Sequence, residues 1–130
     1  MANSNDKPKP LAEKLGFVPG DTVYVETTPG WYTQFADDNG LELEASLPAT
    51  HAHIFCAAKT ELTDFLNGTD PNKTEKSIWI SWPKKTSKLR TDLGENDIRA
   101  ALLPLGWVDT KVASIDADWS GLKFLRRKKD

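Results

Sequence analysis

Near the C-terminus two extended segments, Trp107–Ile115 and Gly121–Arg127, are separated only by Asp116–Ser120. A parallel crossover needs about a dozen residues or more, so these segments pair as an antiparallel hairpin if they pair at all. Upstream, extended and helical segments alternate, which is the pattern of right-handed parallel units. Together the two features predict an α/β domain whose mostly parallel sheet ends in a C-terminal antiparallel hairpin.

Leu11–Leu15 offers one or two helical turns before Gly16, and Pro19–Asp21 a reversal. Thr22–Glu26, β-branched and aromatic, reads as the first strand. Thr28 as N-cap and Pro29 at the first helical position open a helix in which Trp31, Tyr32, Phe35 and Ala36 follow at helical spacing; it ends near Asn39–Gly40. Leu41–Ala45 alternates apolar and acidic residues as a half-exposed strand does, whereas Ala52–Ala58 is apolar on both faces and reads as central. Lys59–Asn67 is a helix with Leu62, Phe65 and Leu66 on one side, followed by a polar loop over Thr69–Lys76. Ser77–Trp82 is the strongest strand and is stopped by Pro83. Asp92 and Glu95 have capping-box spacing and open a helix that presents Ile98, Leu102 and Leu105 on one face.

A chain of 130 residues suits one hydrophobic core, here placed in a single domain over residues 11–127. The polar stretch 1–10, with Pro8 and Pro10, reads as a flexible tail, and residues 128–130 as a basic end. Five Trp and five Phe in a chain that is 38% hydrophobic and 28% charged set it apart from disordered compositions. The single cysteine, Cys56, lies in the apolar run His53–Ala58, which excludes an internal disulfide and fits a buried thiol in the reducing cytoplasm. The first residues lack the apolar segment of a secretory signal, and no apolar stretch nears the roughly 20 residues that span a bilayer, so no membrane partner is expected.

Charge is divided along the chain. Residues 1–65 carry four Lys/Arg against ten Asp/Glu, and residues 66–130 carry thirteen against nine, giving −6 and +4. A surface split in this way can attract anions although the whole chain is acidic.

The order of units resembles the Rossmann-like three-layer sandwich of S-adenosylmethionine-dependent methyltransferases with one α/β unit missing, a truncated methyltransferase fold. The second half resembles, more specifically, a bacterial family of domains of unknown function. The residues that carry this likeness are Ile80–Lys85 (ISWPKK), Thr91–Leu93 (TDL), Leu105–Val112 (LGWVDTKV) and Asp118–Phe124 (DWSGLKF), with Lys14–Gly20 (KLGFVPG) similar to that family's start. The resemblance implies a fold over residues 11–128 and brings no activity with it.

Enzymes of the methyltransferase or dehydrogenase type need a glycine-rich turn after the first strand so that the backbone can approach the cofactor. Here that turn is Glu26–Trp31, with one glycine and a proline, so no cofactor is expected. Glu44 is placed to grip a ribose, as its counterpart in the methyltransferase fold does, or simply faces solvent like Glu42. The stronger candidate is the loop Lys84, Lys85, Thr86, Ser87, Lys88, Leu89 and Arg90, which leaves the carboxyl end of a central strand, where open α/β sheets hold their ligands. Its four cations and two hydroxyls suit phosphate, carboxylate or a nucleic-acid backbone. A solvated loop that serves solubility is the plain alternative. Trp82 and Trp119 either stack on a planar ligand beside this loop or cover the sheet; Ser120 and Lys123 belong to the same hairpin. His51 and His53 share one strand face as metal ligands do, but Cys56 falls on the opposite face and no further histidine exists, so ordinary strand histidines are the simpler reading. No Gly-x-Ser-x-Gly elbow supports a hydrolase. The residues favour a non-enzymatic domain that binds an anionic small molecule or acidic protein partner. An enzyme using an adenosyl or nucleotide cofactor is the alternative, and nucleic acid is disfavoured for lack of a dedicated motif.

Overall fold

The computed structural model describes residues 9–127. Most of the expected tail and the basic end at 128–130 lie outside the described residues. In chain order the elements are α1 (Leu11–Leu15), β1 (Thr22–Tyr24), α2 (Tyr32–Asp38), β2 (Glu42–Glu44), β3 (Ala49–Phe55), α3 (Lys59–Gly68), β4 (Thr74–Pro83), α4 (Glu95–Leu102), β5 (Trp107–Ser114) and β6 (Trp119–Arg126).

The six strands form one sheet in the order β2-β1-β3-β4-β6-β5. The first four are parallel, and β6 is inserted antiparallel to both β4 and β5. The C-terminal hairpin thus joins the sheet through its second strand. This is a mixed α/β sheet with the parallel body and reversed hairpin that the spacing predicts.

Helices cover both faces and divide the apolar residues into two cores. On one face Ile54, Leu62, Phe65, Ile78, Ile80, Ile98, Leu102, Trp107, Leu122 and Phe124 pack beneath α3 and α4. On the other, Leu15, Phe17, Val23, Tyr32, Ala36 and Trp79 pack beneath α1 and α2. Residues of β3 and β4 alternate between the two cores, which is why these strands are apolar on both sides.

The crossover from β2 to β3 is unusually short. These strands flank β1, yet only Ala45–Pro48 joins them, far fewer than the dozen residues typical of such a link. The register explains how: Tyr24 pairs with Glu44 on one side and Ala52 on the other, so the chain steps back only a few residues while passing over a three-residue strand.

Several boundaries differ from the sequence reading, each for a physical reason. Helix α2 starts at Tyr32 rather than after Thr28, because Pro29 accepts from the Tyr32 amide in a turn and Trp31 takes the cap position. Strand β3 runs from Ala49 to Phe55, earlier than its apolar run suggests. Its polar residues are satisfied inside the fold: Thr50 exchanges side chain to backbone hydrogen bonds with Thr22 at 2.8 and 3.0 Å. Strand β6 begins at Trp119, leaving Ile115–Asp118 as the turn.

Asp92 does not open α4. That helix is capped by Gly94, whose amide donates to Asp97 Oδ2 at 3.0 Å. Asp92 Oδ1 instead accepts from the Lys59 amide at 2.8 Å. It therefore satisfies one of the unpaired donors at the start of α3, whose own cap residue, Ala58, has no side chain able to do so.

Candidate anion-binding cleft

Strand β4 delivers Trp82 and Pro83 to its carboxyl edge, where Trp82 pairs with Ser120 and Pro83 with Trp119. Residues paired across antiparallel strands share a face, so Trp82 and Ser120 look toward α4 while Trp119 looks to the opposite side. The basic loop then leaves Pro83 and is fixed to the hairpin turn. The Lys84 amide donates to the Asp118 carbonyl at 2.8 Å, and the Ser87 hydroxyl donates to Asp118 Oδ1 at 2.9 Å. Thr91 Oγ1 accepts from the Leu93 amide at 2.9 Å as the chain returns to α4.

Between this loop and the first turn of α4 lies a cleft of about 830 Å³. It is lined by Trp82, Pro83, Lys84, Lys85, Thr86 and Ser120, and by Thr91, Leu93 and residues 94–97 at the start of α4. Its carboxylates and its carboxamide each make a contact within the protein. Glu95 accepts from Arg99 at 2.8 Å, Asn96 Oδ1 from Arg99 at 3.2 Å, and Asp97 from Gly94, with Lys59 3.6 Å away. Several of its donors make none. The Lys85 ammonium, the Ser120 and Thr86 hydroxyls and the Trp82 indole N–H have no hydrogen-bond partner among the described residues, while Lys84 spends one proton on Ser114 Oγ at 2.6 Å. The polar side chains of the lining left without a partner are thus Lys85, Trp82, Thr86 and Ser120, all of which can donate.

Of the nine residues singled out from sequence, Trp82, Lys84, Lys85 and Ser120 line this cleft. The other five do not. Ser87 serves the loop itself through Asp118, and Lys88 and Arg90 are exposed outside it. Trp119 lies on the opposite face, edge-on to Phe55 at 5.1 Å. Lys123 is also on that face, its ammonium 6.0 Å from the Trp79 ring, with burial and the nearby Lys111 holding its pKa below the usual lysine range. Thr86, Thr91 and Asn96 join the lining without having been singled out as binding residues; their nearness to the basic loop and the helix start is the signal that points to them.

A second polar constellation lies buried on the α1/α2 face. His51 Nδ1 meets Ser77 Oγ at 2.7 Å and its Nε2 meets Asp21 Oδ2 at 2.8 Å. His53 Nδ1 meets the Tyr32 hydroxyl at 2.7 Å and its Nε2 meets Ser81 Oγ at 2.8 Å. Asp21, His51 and Ser77 have the residue types of a nucleophilic triad, but Ser77 is 1% exposed and Phe17 packs against His51, the rings tilted with centroids 4.4 Å apart. The set ties strands together inside the second core. All four imidazole nitrogens are committed, and the described residues contain no group of three or more His, Cys, Asp or Glu placed to hold a metal ion.

The sheet order also defines a crevice at the carboxyl ends of β1 and β3, where the chain changes direction across the sheet. There the turn Glu26–Trp31 brings an indole rather than a bare backbone. Trp31 donates to Asp116 Oδ2 at 2.9 Å and lies edge-on to Phe55 at 6.5 Å. Glu26 accepts from the Tyr24 hydroxyl, which burial and that carboxylate together hold above the usual tyrosine pKa. Cys56, just past β3, is fully buried, and burial with Glu61 and Glu26 pushes its thiol up to about 12.

A family model described as Domain of unknown function (DUF8412) matches residues 54–130. The chain belongs to this family. The match takes in the second-half motifs from Ile80 to Phe124, while Lys14–Gly20 lies outside it. No curated protein matches the chain.

Among solved structures it is similar to an uncharacterized protein from Listeria monocytogenes serotype 4b, with a TM-score of 0.61 and 8% identity over 99% of this chain and 70% of that one. It is also similar to a SAM-dependent methyltransferase from Aquifex aeolicus, with a TM-score of 0.55 and 13% identity over 89% of this chain and 87% of that one. Magnesium protoporphyrin IX methyltransferase from Synechocystis PCC 6803, solved with bound SAM, gives a TM-score of 0.53 and 13% identity over 89% and 74%. At such identities the likeness establishes a Rossmann-like, methyltransferase-like fold for this member of the family, and no more than the fold. No helix among the described residues is long and apolar enough to cross a membrane.

Proposed function

We propose that this chain is a non-enzymatic binding domain that takes an anionic ligand in the cleft between the basic loop and α4. The observation that carries the reading is the imbalance of hydrogen-bonding capacity: Lys85, Trp82, Thr86 and Ser120 are unpartnered donors among the described residues, whereas Glu95 and Asp97 are engaged from within the protein. Two lysines and two carboxylates line the cleft, and of these four Lys85 alone has no partner among the described residues. The dipole of α4 adds little, since Asp97 already occupies the amide at its start.

A methyltransferase-like enzyme is the second reading, favoured by the likeness to a methyltransferase solved with bound SAM. Against it stands the β1–α2 turn, where Trp31 is anchored to Asp116 and only Gly30 of the turn Glu26–Trp31 is a glycine.

Thermal shift separates the two, because a ligand that binds only the native state raises its stability. Citrate, sulfate and inorganic phosphate are expected to raise the melting temperature of the wild-type chain, with the effect lost in Lys84→Ala/Lys85→Ala. Stabilisation by S-adenosylmethionine and by no simple anion would reverse the ranking.

A further inference from the structure

An anion held in this cleft still has a body to be accommodated, and the lining indicates its shape. Resting on the anion-cleft reading, we infer that the ligand is a small organic anion with a flat apolar body, an aryl phosphate or aryl carboxylate, seated on Trp82. The cleft of about 830 Å³ lies in the range of about 300–1,000 Å³ typical of small-molecule sites, far larger than a bare oxyanion needs. Its lining carries the apolar surface of Trp82, Pro83 and Leu93 beside the lysines, together with the polar Thr91, Glu95, Asn96 and Asp97.

Three of the five indoles serve the fold through their N–H groups. Trp31, Trp79 and Trp107 donate their N–H groups to Asp116, the Leu15 carbonyl and Asn72. Trp82, like Trp119 on the opposite face, has no such partner among the described residues, and its half-buried ring lines the cleft and is backed by the core beneath α3 and α4. A ring held from behind, open in front and carrying a spare N–H offers a stacking face and a hydrogen bond to an acidic group at once. Lys85 and Ser120 line the same cleft. An inorganic oxyanion would leave the apolar surface of Trp82, Pro83 and Leu93 unused.

Calorimetric titration of the full chain with phenyl phosphate, benzoate, inorganic phosphate, benzyl alcohol and polyaspartate tests this. One aryl anion should bind at least about tenfold more tightly than inorganic phosphate, the increment one stacked ring supplies, and benzyl alcohol should not bind. Whether phenyl phosphate or benzoate is preferred identifies the acidic group. Trp82→Leu should bring the aryl anion to the level of inorganic phosphate, whereas Lys85→Ala should weaken both alike. Equal affinity for phosphate and both aryl anions, or preference for polyaspartate, overturns the flat body while leaving an anion site; no binding by any anion removes both. If Trp82→Leu fails to fold, the indole N–H resonances of the wild-type chain decide. The Trp82 signal should move with phenyl phosphate while that of Trp107 stays, and an unmoved Trp82 signal overturns the inference.

Discussion

The Tyr32 hydroxyl lies 2.7 Å from His53 Nδ1, and neither residue has exposed surface. With Ser81 Oγ 2.8 Å from Nε2, the ring sits between two hydroxyls. A hydroxyl can donate or accept, so the neutral imidazole is satisfied in either tautomer. The imidazolium has no counter-charge, because Phe55, Phe17 and Trp79 surround the ring and no carboxylate among the described residues contacts it. Burial accordingly pushes the His53 pKa down to about 3. Two residues earlier, burial also lowers His51, helped by Lys76 and Lys123 and opposed only in part by Asp21.

These shifts make stability depend on pH in one direction. An unfolded histidine titrates near 6.5, whereas folded His53 holds off its proton until about 3. Across that window the unfolded chain binds the extra proton, so the stability from His53 is complete above about pH 6.5 and is lost progressively below it. The slope is about 1.4 kcal/mol per pH unit for one histidine, and His51 acts in the same sense. Urea unfolding between about pH 4.5 and 7.5 measures it. A flat profile below about pH 6.5 would mean that His53 protonates equally well in the fold.

Tyr32→Phe keeps the ring and removes the hydroxyl, leaving one His53 nitrogen buried without a partner. The cost is about 1–3 kcal/mol, the desolvation penalty of an unsatisfied polar group. Ser81→Ala should cost a similar amount. Denaturation midpoints unchanged in both variants would show that the ring is not held as described.

Asp92 acts across sequence, which gives its substitution a distinctive pattern. Asp92→Ala should lower stability by about 1 kcal/mol, in the range of a lost helix cap, with Asp92→Asn retaining most of it. The loss should appear as faster amide exchange in the first turn of α3, beginning at Lys59, rather than in α4. Exchange rising only in α4 would return Asp92 to the role its sequence spacing suggests.

Gly121 is required by packing. A Cβ there would lie 2.9 Å from Ile115 Cδ1 and 3.0 Å from Trp79 Cε3. Gly121→Ala should therefore destabilise by about 1–3 kcal/mol through overpacking, read from thermal or urea unfolding.

How much of this is legible in the sequence depends on the range of the forces involved. Strand and helix alternation, and the short hairpin link, depend on local pattern and chain length, and the sheet is built from them. The role of Asp92 is hidden because its partner, Lys59, is 33 residues away. The start of β3 is hidden because His51 and Thr50 look too polar for a central strand until Asp21, Ser77 and Thr22 are brought beside them. The basic loop can be placed at a strand end, but the faces of Trp82 and Trp119 depend on the register that sets Pro83 against Trp119. Which lysines reach the cleft depends on the attachment of Lys84 and Ser87 to Asp118.

That attachment separates a built site from a diffuse basic surface. Lys85 lines the cleft and Lys84 stands at its wall, while Lys88 and Arg90 project beyond it. If anions are held by contact, Lys85→Ala should weaken citrate binding by about tenfold, in keeping with loss of a charge-assisted hydrogen bond. Lys88→Ala/Arg90→Ala, which removes twice the charge, should change it by about twofold or less, as screened exposed charges do. Calorimetry at two salt concentrations makes the comparison. Equal losses in the two variants, both erased by added salt, would show that only the net charge of the loop attracts the anion, and the cleft would have no part in it.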